Sequence, residues 1–87
     1  MSERKAQAIK AIALALKDGP LETRPLLTQV LKSLGWEPKW VYPEGRPRRN
    51  INRGYLASLL QTEQGILWSK GRTAGPYNWR NIWELMR

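Results

Sequence analysis

The 87-residue chain is long enough to bury one hydrophobic core but too short for two, so we expect a single domain over residues 1–87. Fifteen Lys and Arg against seven Asp and Glu give a formal net charge of +8, which favours a polyanionic partner. The sequence has no cysteine and no histidine, which excludes disulfides, thiolate nucleophiles and the usual metal ligands. We therefore expect a protein that is not an enzyme and that carries no metal or other cofactor.

Apolar segments are short throughout the chain. The longest, residues 11–16, is far below the roughly 20 residues that a membrane-spanning helix needs, and the N-terminal residues lack the pattern of a signal peptide. The sequence therefore predicts a cytoplasmic protein without a membrane partner.

Two amphipathic helices are predicted in the first 35 residues. The first, over residues 3–17, has apolar residues at i, i+3, i+4 and i+7, namely Ile9, Ile12, Ala13 and Leu16. Gly19 and Pro20 end it. The second begins with Thr23 as its N-cap, ends before Gly35 and repeats the spacing in Leu27, Val30, Leu31 and Leu34. Between them, residues 21–22 are compatible with an isolated bridge or a very short strand.

Residues 35–49 break the helical pattern and form a long connection. They contain three prolines, two glycines and the aromatic residues Trp36, Trp40 and Tyr42. A structureless link of this length is unusual in a compact domain, so we expect either that it carries function or that its aromatic residues tie it to the core. If exposed, these three side chains would offer a surface for a protein partner or for stacked bases.

A third helix is predicted from Asn52, as N-cap, to residue 63. Ile51 is placed to contact Leu56 as a hydrophobic staple, and Gly65 suits a left-handed turn after the helix. The buried face is formed by Tyr55, Leu56, Leu59 and Leu60.

A β-hairpin is predicted after this helix. Residues 66–68 have strand character, residues 70–76 form a basic, glycine-rich loop, and residues 77–83 alternate weakly as a returning strand. The spacing of Trp79, Ile82, Trp83 and Met86 also fits a helix, and of the two interpretations we favour the hairpin. In the hairpin, Trp68, Trp79 and Trp83 are expected to pack on the helices.

Residues 51–83, INRGYLASLLQTEQGILWSKGRTAGPYNWRNIW, resemble the recognition helix and wing of winged helix-turn-helix domains. The resemblance implies a mostly α fold with a small β-hairpin (α+β), a three-helix winged helix-turn-helix. It also implies binding of double-stranded DNA, as in a small transcriptional regulator or a phage or plasmid accessory factor, and hence association with the nucleoid. The chain departs from the usual motif in having some 15 residues between the second and third helices, where a few are normal.

The charge distribution supports the same partner. Residues 39–87 hold nine basic and three acidic residues, a net +6, whereas residues 1–38 hold six and four, a net +2. The outward face of the third helix is small and polar, so its backbone can approach bases, although small residues also suit packing against another helix. Lys70 and Arg72 are expected at the tip of the wing. The residues predicted to contact DNA are Arg46, Arg48, Arg49, Asn52, Arg53, Ala57, Ser58, Gln61, Lys70, Arg72 and Arg80.

Other partners are also compatible with the sequence. Trp36, Trp40 and Tyr42 would suit a module that docks on a nucleic-acid-processing enzyme to inhibit or recruit it, or one that binds RNA or single strands. A homodimer would use the apolar segment 79–86.

Overall fold

Three helices form where the apolar spacing predicts them. The computed structural model describes residues 2–73 and 80–86, and it gives α1 as Glu3–Leu16, α2 as Thr23–Leu34 and α3 as Ile51–Thr62. The hydroxyl of Ser2 caps α1 by accepting a hydrogen bond from the Lys5 amide, and Gly35 ends α2 with the left-handed conformation (φ 69°) that glycine adopts without strain.

Two predicted N-caps are wrong. Asn50 caps α3, because its backbone is extended and its Oδ1 accepts from the Asn52 amide at 3.1 Å, whereas Asn52 is already helical. Glu22 is the N-cap of α2 and makes no side-chain cap, while Thr23 is the first helical residue. The hydroxyl of Thr23 is bonded instead to the sheet, where it accepts from Trp83.

The strands form two antiparallel sheets. In chain order they are β1 (Leu21–Glu22), β2 (Trp40–Val41), β3 (Arg49–Asn50), β4 (Trp68–Thr73) and β5 (Arg80–Leu85). The larger sheet has the order β1-β5-β4, and β2 pairs only with β3 in the smaller one. Residues 80–85 are therefore a strand, so the competing helix is wrong there and the hairpin is confirmed for the described residues.

The bounds of the predicted hairpin need correction. Residues 70–73 belong to β4 and not to a loop, and Ile66 and Leu67 precede the strand in a turn, where their amides donate to the Glu63 carbonyl. Gly71 pairs with Ile82 of β5, and glycine suits this position because a Cβ there would lie only 3.3 Å from Cγ2 of Ile82. The rest of the predicted loop, residues 74–76, and Trp79 lie outside the described residues.

Residues 35–49 are not a structureless link. Trp40 pairs with Asn50 and Val41 pairs with Arg49, so the segment folds back on itself as a small hairpin that leads directly into α3. The connection between α2 and α3 is therefore the β2–β3 hairpin.

One hydrophobic core joins the helices to the larger sheet. The prediction that Trp68 and Trp83 are core residues is confirmed: both are buried, and the indole of Trp68 donates to the Leu60 carbonyl at 2.9 Å. Tyr55, expected in the buried face of α3, is only partly buried. The other buried residues are Ala8, Ala11, Ile12, Leu16, Leu26, Leu27, Val30, Leu56, Leu59 and Leu60. Within residues 2–73 and 80–86, every helix is too short or too polar to cross a bilayer.

Candidate nucleic-acid interface

An open depression of about 420 Å³ lies between the N-terminal halves of α2 and α3. An added Cβ on Gly54 would lie 3.8 Å from Nη2 of Arg49, so the Arg49 guanidinium extends over α3 at that glycine. Among the described residues that line the depression, none is acidic. They are Thr23, Leu27, Arg49, Asn50, Arg53, Gly54 and Ala57.

A second depression, of about 380 Å³, lies between the start of α2 and β5. Its lining includes Arg24, Arg80 and Asn81, together with Thr23, which also lines the first depression. Among the described lining residues the one carboxylate is Glu22, which is paired with Arg80 across 3.3 Å. Both depressions therefore border the N-terminus of α2, and we refer to the two together as the basic surface.

Lys70 and Arg72 extend this surface along the sheet, although as strand residues and not as the wing tip that the sequence suggested. Alternate residues of a strand share a face, so both lie on the side of β4 where Trp68 enters the core. Arg72 is exposed and stands opposite Asn81, which lines the second depression, whereas Lys70 stands opposite the buried Trp83 and is half-buried.

The predicted base-reading face of α3 borders the first depression. Arg53, Ala57 and Gln61 recur every four residues and so lie along one side of the helix. Arg53 and Ala57 are half-buried at the depression, and Gln61 and Ser58 are exposed beyond it. Helical periodicity therefore places Arg53, Ala57 and Gln61 on one side of α3, and Ala57 also packs against the hydrophobic core.

Asn52 stands apart from the other predicted contacts. Its Oδ1 accepts from Nη2 of Arg4 at 2.9 Å, and its Nδ2 donates to the Glu37 carbonyl at 2.6 Å. These bonds orient the side chain toward α1 and the connection after α2, away from the Arg53 side of α3. We therefore leave Asn52 out of the interface. Sequence gave no signal for a partner 48 residues away.

The three aromatic residues of the connection do not form one surface. Trp36 is half-buried against Tyr55, with ring centroids 6.0 Å apart, and the Arg4 guanidinium lies 4.4 Å from the Trp36 centroid. Trp40 and Tyr42 remain 43% and 73% exposed. Only these last two therefore offer ring surface to a partner.

The remaining predicted basic contacts lie on the β2–β3 hairpin. Arg46 is exposed in the turn, where its amide donates to the Pro43 carbonyl, and Arg48 is exposed with its guanidinium 4.4 Å from the centroid of Trp40.

Residues 80–86 are the described part of the segment that the sequence predicts as a dimer surface. Trp83 is buried, and β5 is hydrogen-bonded to β1 on one side and to β4 on the other. Met86 is exposed, but it lies at the end of β5 opposite to Arg80.

Uncompensated positive charge distinguishes this surface. Across residues 2–73 and 80–86 the ion pairs are Lys5 with Glu63 and Arg80 with Glu22, so Arg24, Arg49, Arg53 and Arg72 lie in none.

The first turns of α2 and α3 contain no acidic residue, and each contains an arginine, Arg24 and Arg53. Because the N-terminal end of a helix is already positive, a cation there is unfavourable by roughly 0.3 to 1 kcal/mol. Arg24 and Arg53 therefore add positive charge to two helix N-termini, and Glu22 is the N-cap residue of α2. Sequence analysis missed Arg24, and its first-turn position was the available signal.

No protein-family model, curated protein or solved structure matches this chain. A function is therefore inferred from the geometry of these residues.

Proposed function

We propose that this chain is a non-enzymatic winged helix-turn-helix protein that binds double-stranded DNA, in the manner of a small transcriptional regulator or a phage or plasmid accessory factor. The observation that carries the proposal is the first depression. It joins the small-residue face of α3, two arginines free of ion pairs and the N-terminus of α2, and none of its described lining residues is acidic.

The topology supports the winged-helix part of the proposal. A short strand between α1 and α2 pairs with the last strand of a C-terminal hairpin, which gives the sheet order β1-β5-β4. In such a fold α3 is the recognition helix and the β4–β5 hairpin is the wing.

Base contacts are assigned to α3. Gly54, Ala57 and Ser58 have small side chains, so the helix backbone can approach the floor of the major groove. Gln61 is suited to pair with adenine, and Arg53 with guanine or a phosphate. The side of α3 assigned to base contacts has few long side chains that can reach base edges, so we expect modest specificity for DNA sequence.

Phosphate contacts are assigned to the flanking arginines. Arg24 and Arg49 lie at the N-terminal ends of α2 and α3, where free backbone amides also attract anions, and Arg72 lies on the wing. Each phosphate that is neutralised makes log Kobs fall by about 0.9 per unit of log salt concentration. These three contacts alone therefore contribute about −3 to the slope.

The test is fluorescence anisotropy on random-sequence duplex, single-stranded DNA and RNA over a salt series. Arg53→Gln and Arg72→Gln are expected to weaken duplex binding. Lys17→Gln is the matched control, because Lys17 is exposed near Leu85, at the far end of the sheet from Arg80. Absence of duplex binding at low salt would overturn the proposal.

The second candidate function is docking on a nucleic-acid-processing enzyme, to inhibit or recruit it. It is favoured by the exposed rings of Trp40 and Tyr42. An aromatic-centred interface would tolerate added salt, so retention of a protein partner at high salt without duplex binding would select this function.

A further inference from the structure

The β2–β3 hairpin carries its own concentration of positive charge. Residues 39–49 contain Lys39, Arg46, Arg48 and Arg49 against Glu44 alone, a net +3, and all five of these side chains are exposed. This charge adjoins the first depression, because Arg49 belongs to β3 and also lines that depression.

The base of the hairpin is fixed to the first turn of α3. Oδ1 of Asn50 accepts from the amides of both Lys39 and Asn52 at 3.1 Å, and the amide of Ile51 donates to the Lys39 carbonyl at 2.7 Å. These bonds tie both strands of the hairpin to the same helical turn. The hairpin therefore has a set orientation relative to α3.

Arg48 of the hairpin lies over an aromatic ring, which restricts its side chain. The guanidinium of Arg48 lies 4.4 Å from the ring centroid of Trp40. Stacking of this kind restricts the side chain while leaving the N–H donors in the guanidinium plane available, which suits bidentate binding of phosphate. Arg46, in the turn of the same hairpin, is exposed and lies in no ion pair with another described residue.

We infer that the β2–β3 hairpin is a second arm that binds phosphates of the DNA backbone, so that two hairpins hold the duplex on either side of the start of α2. The two depressions meet at Thr23; β5 of the wing borders one and β3 borders the other. The extended connection between α2 and α3 thus adds a second contact with the phosphate backbone of DNA. This inference rests on the proposed binding of duplex DNA.

The experiment compares Arg46→Gln/Arg48→Gln with Lys10→Gln/Lys17→Gln, which removes the same charge from exposed positions on and just after α1. Duplex affinity is measured by anisotropy over a salt series, and backbone contacts by hydroxyl-radical footprinting. The hairpin variant is expected to lower the magnitude of the salt slope by about 2 and to lose protection at one border of the footprint. The α1 variant is expected to keep the slope and both borders.

Several outcomes would overturn the inference. In the first, the wild type binds duplex DNA and the hairpin variant keeps the same salt slope and footprint. In the second, the hairpin variant and the α1 variant lose duplex affinity equally. A third is a greater loss of single-stranded than duplex binding in Trp40→Leu, which would make the hairpin a stacking surface. If the wild type itself fails to bind duplex, the proposed function fails, and the inference fails with it.

Discussion

Nε1 of Trp83 donates a hydrogen bond to Oγ1 of Thr23 at 2.7 Å. The bond joins the central strand of the larger sheet to the first residue of α2, across 60 positions of sequence. Thr23 also lines both depressions of the proposed DNA surface. The residue that accepts the hydrogen bond from the buried Trp83 therefore lies between the depression bordered by α3 and the depression bordered by β5.

Thr23→Val is expected to lower the free energy of unfolding by about 1 to 3 kcal/mol, because the change preserves shape but leaves a buried indole N–H without its acceptor. Thr23→Ser keeps the oxygen and should restore most of the loss. Thr28→Val is the control, since Thr28 is an exposed threonine of the same helix. Urea unfolding provides the measurement, and equal losses in the two valine variants would contradict the assigned role.

Arg24→Glu/Arg53→Glu is expected to stabilise the protein while abolishing duplex binding. Replacing cations by anions in two first turns removes an unfavourable interaction with each helix dipole and adds a favourable one, for a gain of roughly 1 to 4 kcal/mol in total. The measurements are thermal unfolding at low salt and anisotropy with duplex DNA.

The control for this reversal is Lys10→Glu/Lys17→Glu, which changes the net charge equally. Since Lys17 follows the last turn of α1, an acid there opposes the helix dipole and should not stabilise. A gain in both double variants would show that relief of the overall positive charge, and not the helix ends, is responsible.

Substitutions of Gly54 are expected to affect the free energy of unfolding and the affinity for duplex DNA differently. Gly54→Ala should raise stability by roughly 0.5 to 1 kcal/mol, because glycine is a poor helix former and the added Cβ would meet Arg49 only at an ordinary 3.8 Å. Gly54→Leu is expected to weaken duplex binding by filling the approach to the helix backbone. Chemical unfolding and anisotropy measure the two effects, and unaltered affinity in Gly54→Leu would exclude close approach of DNA at this residue.

Asn50→Ala is expected to cost about 1 to 2 kcal/mol as the loss of a helix cap. Asn50→Asp retains an acceptor for the Lys39 and Asn52 amides and should stay close to wild type in urea unfolding. If the alanine variant were as stable as the aspartate variant, the cap at the base of the hairpin would contribute nothing.

The helices could be predicted from sequence because their apolar residues repeat with the helical period, as Ile12 and Leu16 do. The caps were less certain because Asn50 and Asn52 are equally suitable by type, and the choice depends on which of them has an extended backbone. The bounds of β4 were missed because Gly71 and two long basic residues resemble a loop. Their strand conformation comes from pairing with β5, a long-range interaction.

Some residues of the candidate site could likewise be predicted from local sequence, and others depend on tertiary packing. Arg53, Ala57 and Gln61 follow from the periodicity of one helix, so their grouping was predictable. The first-turn position of Arg24 can be read from the sequence, whereas its place beside β5 depends on how α2 and the sheet pack. The fixed partners of Asn52 arise from a contact with Arg4 that spans most of the chain.

The central position of β5 has a consequence for synthesis. β1 pairs with β5, and β5 in turn supplies Trp83 to the core. During translation the helices can therefore gather while Leu21 and Trp68 still lack their strand partner. The larger sheet can close only when residues 80–85 have left the ribosome, so its formation and the burial of Trp83 come after the helices have emerged.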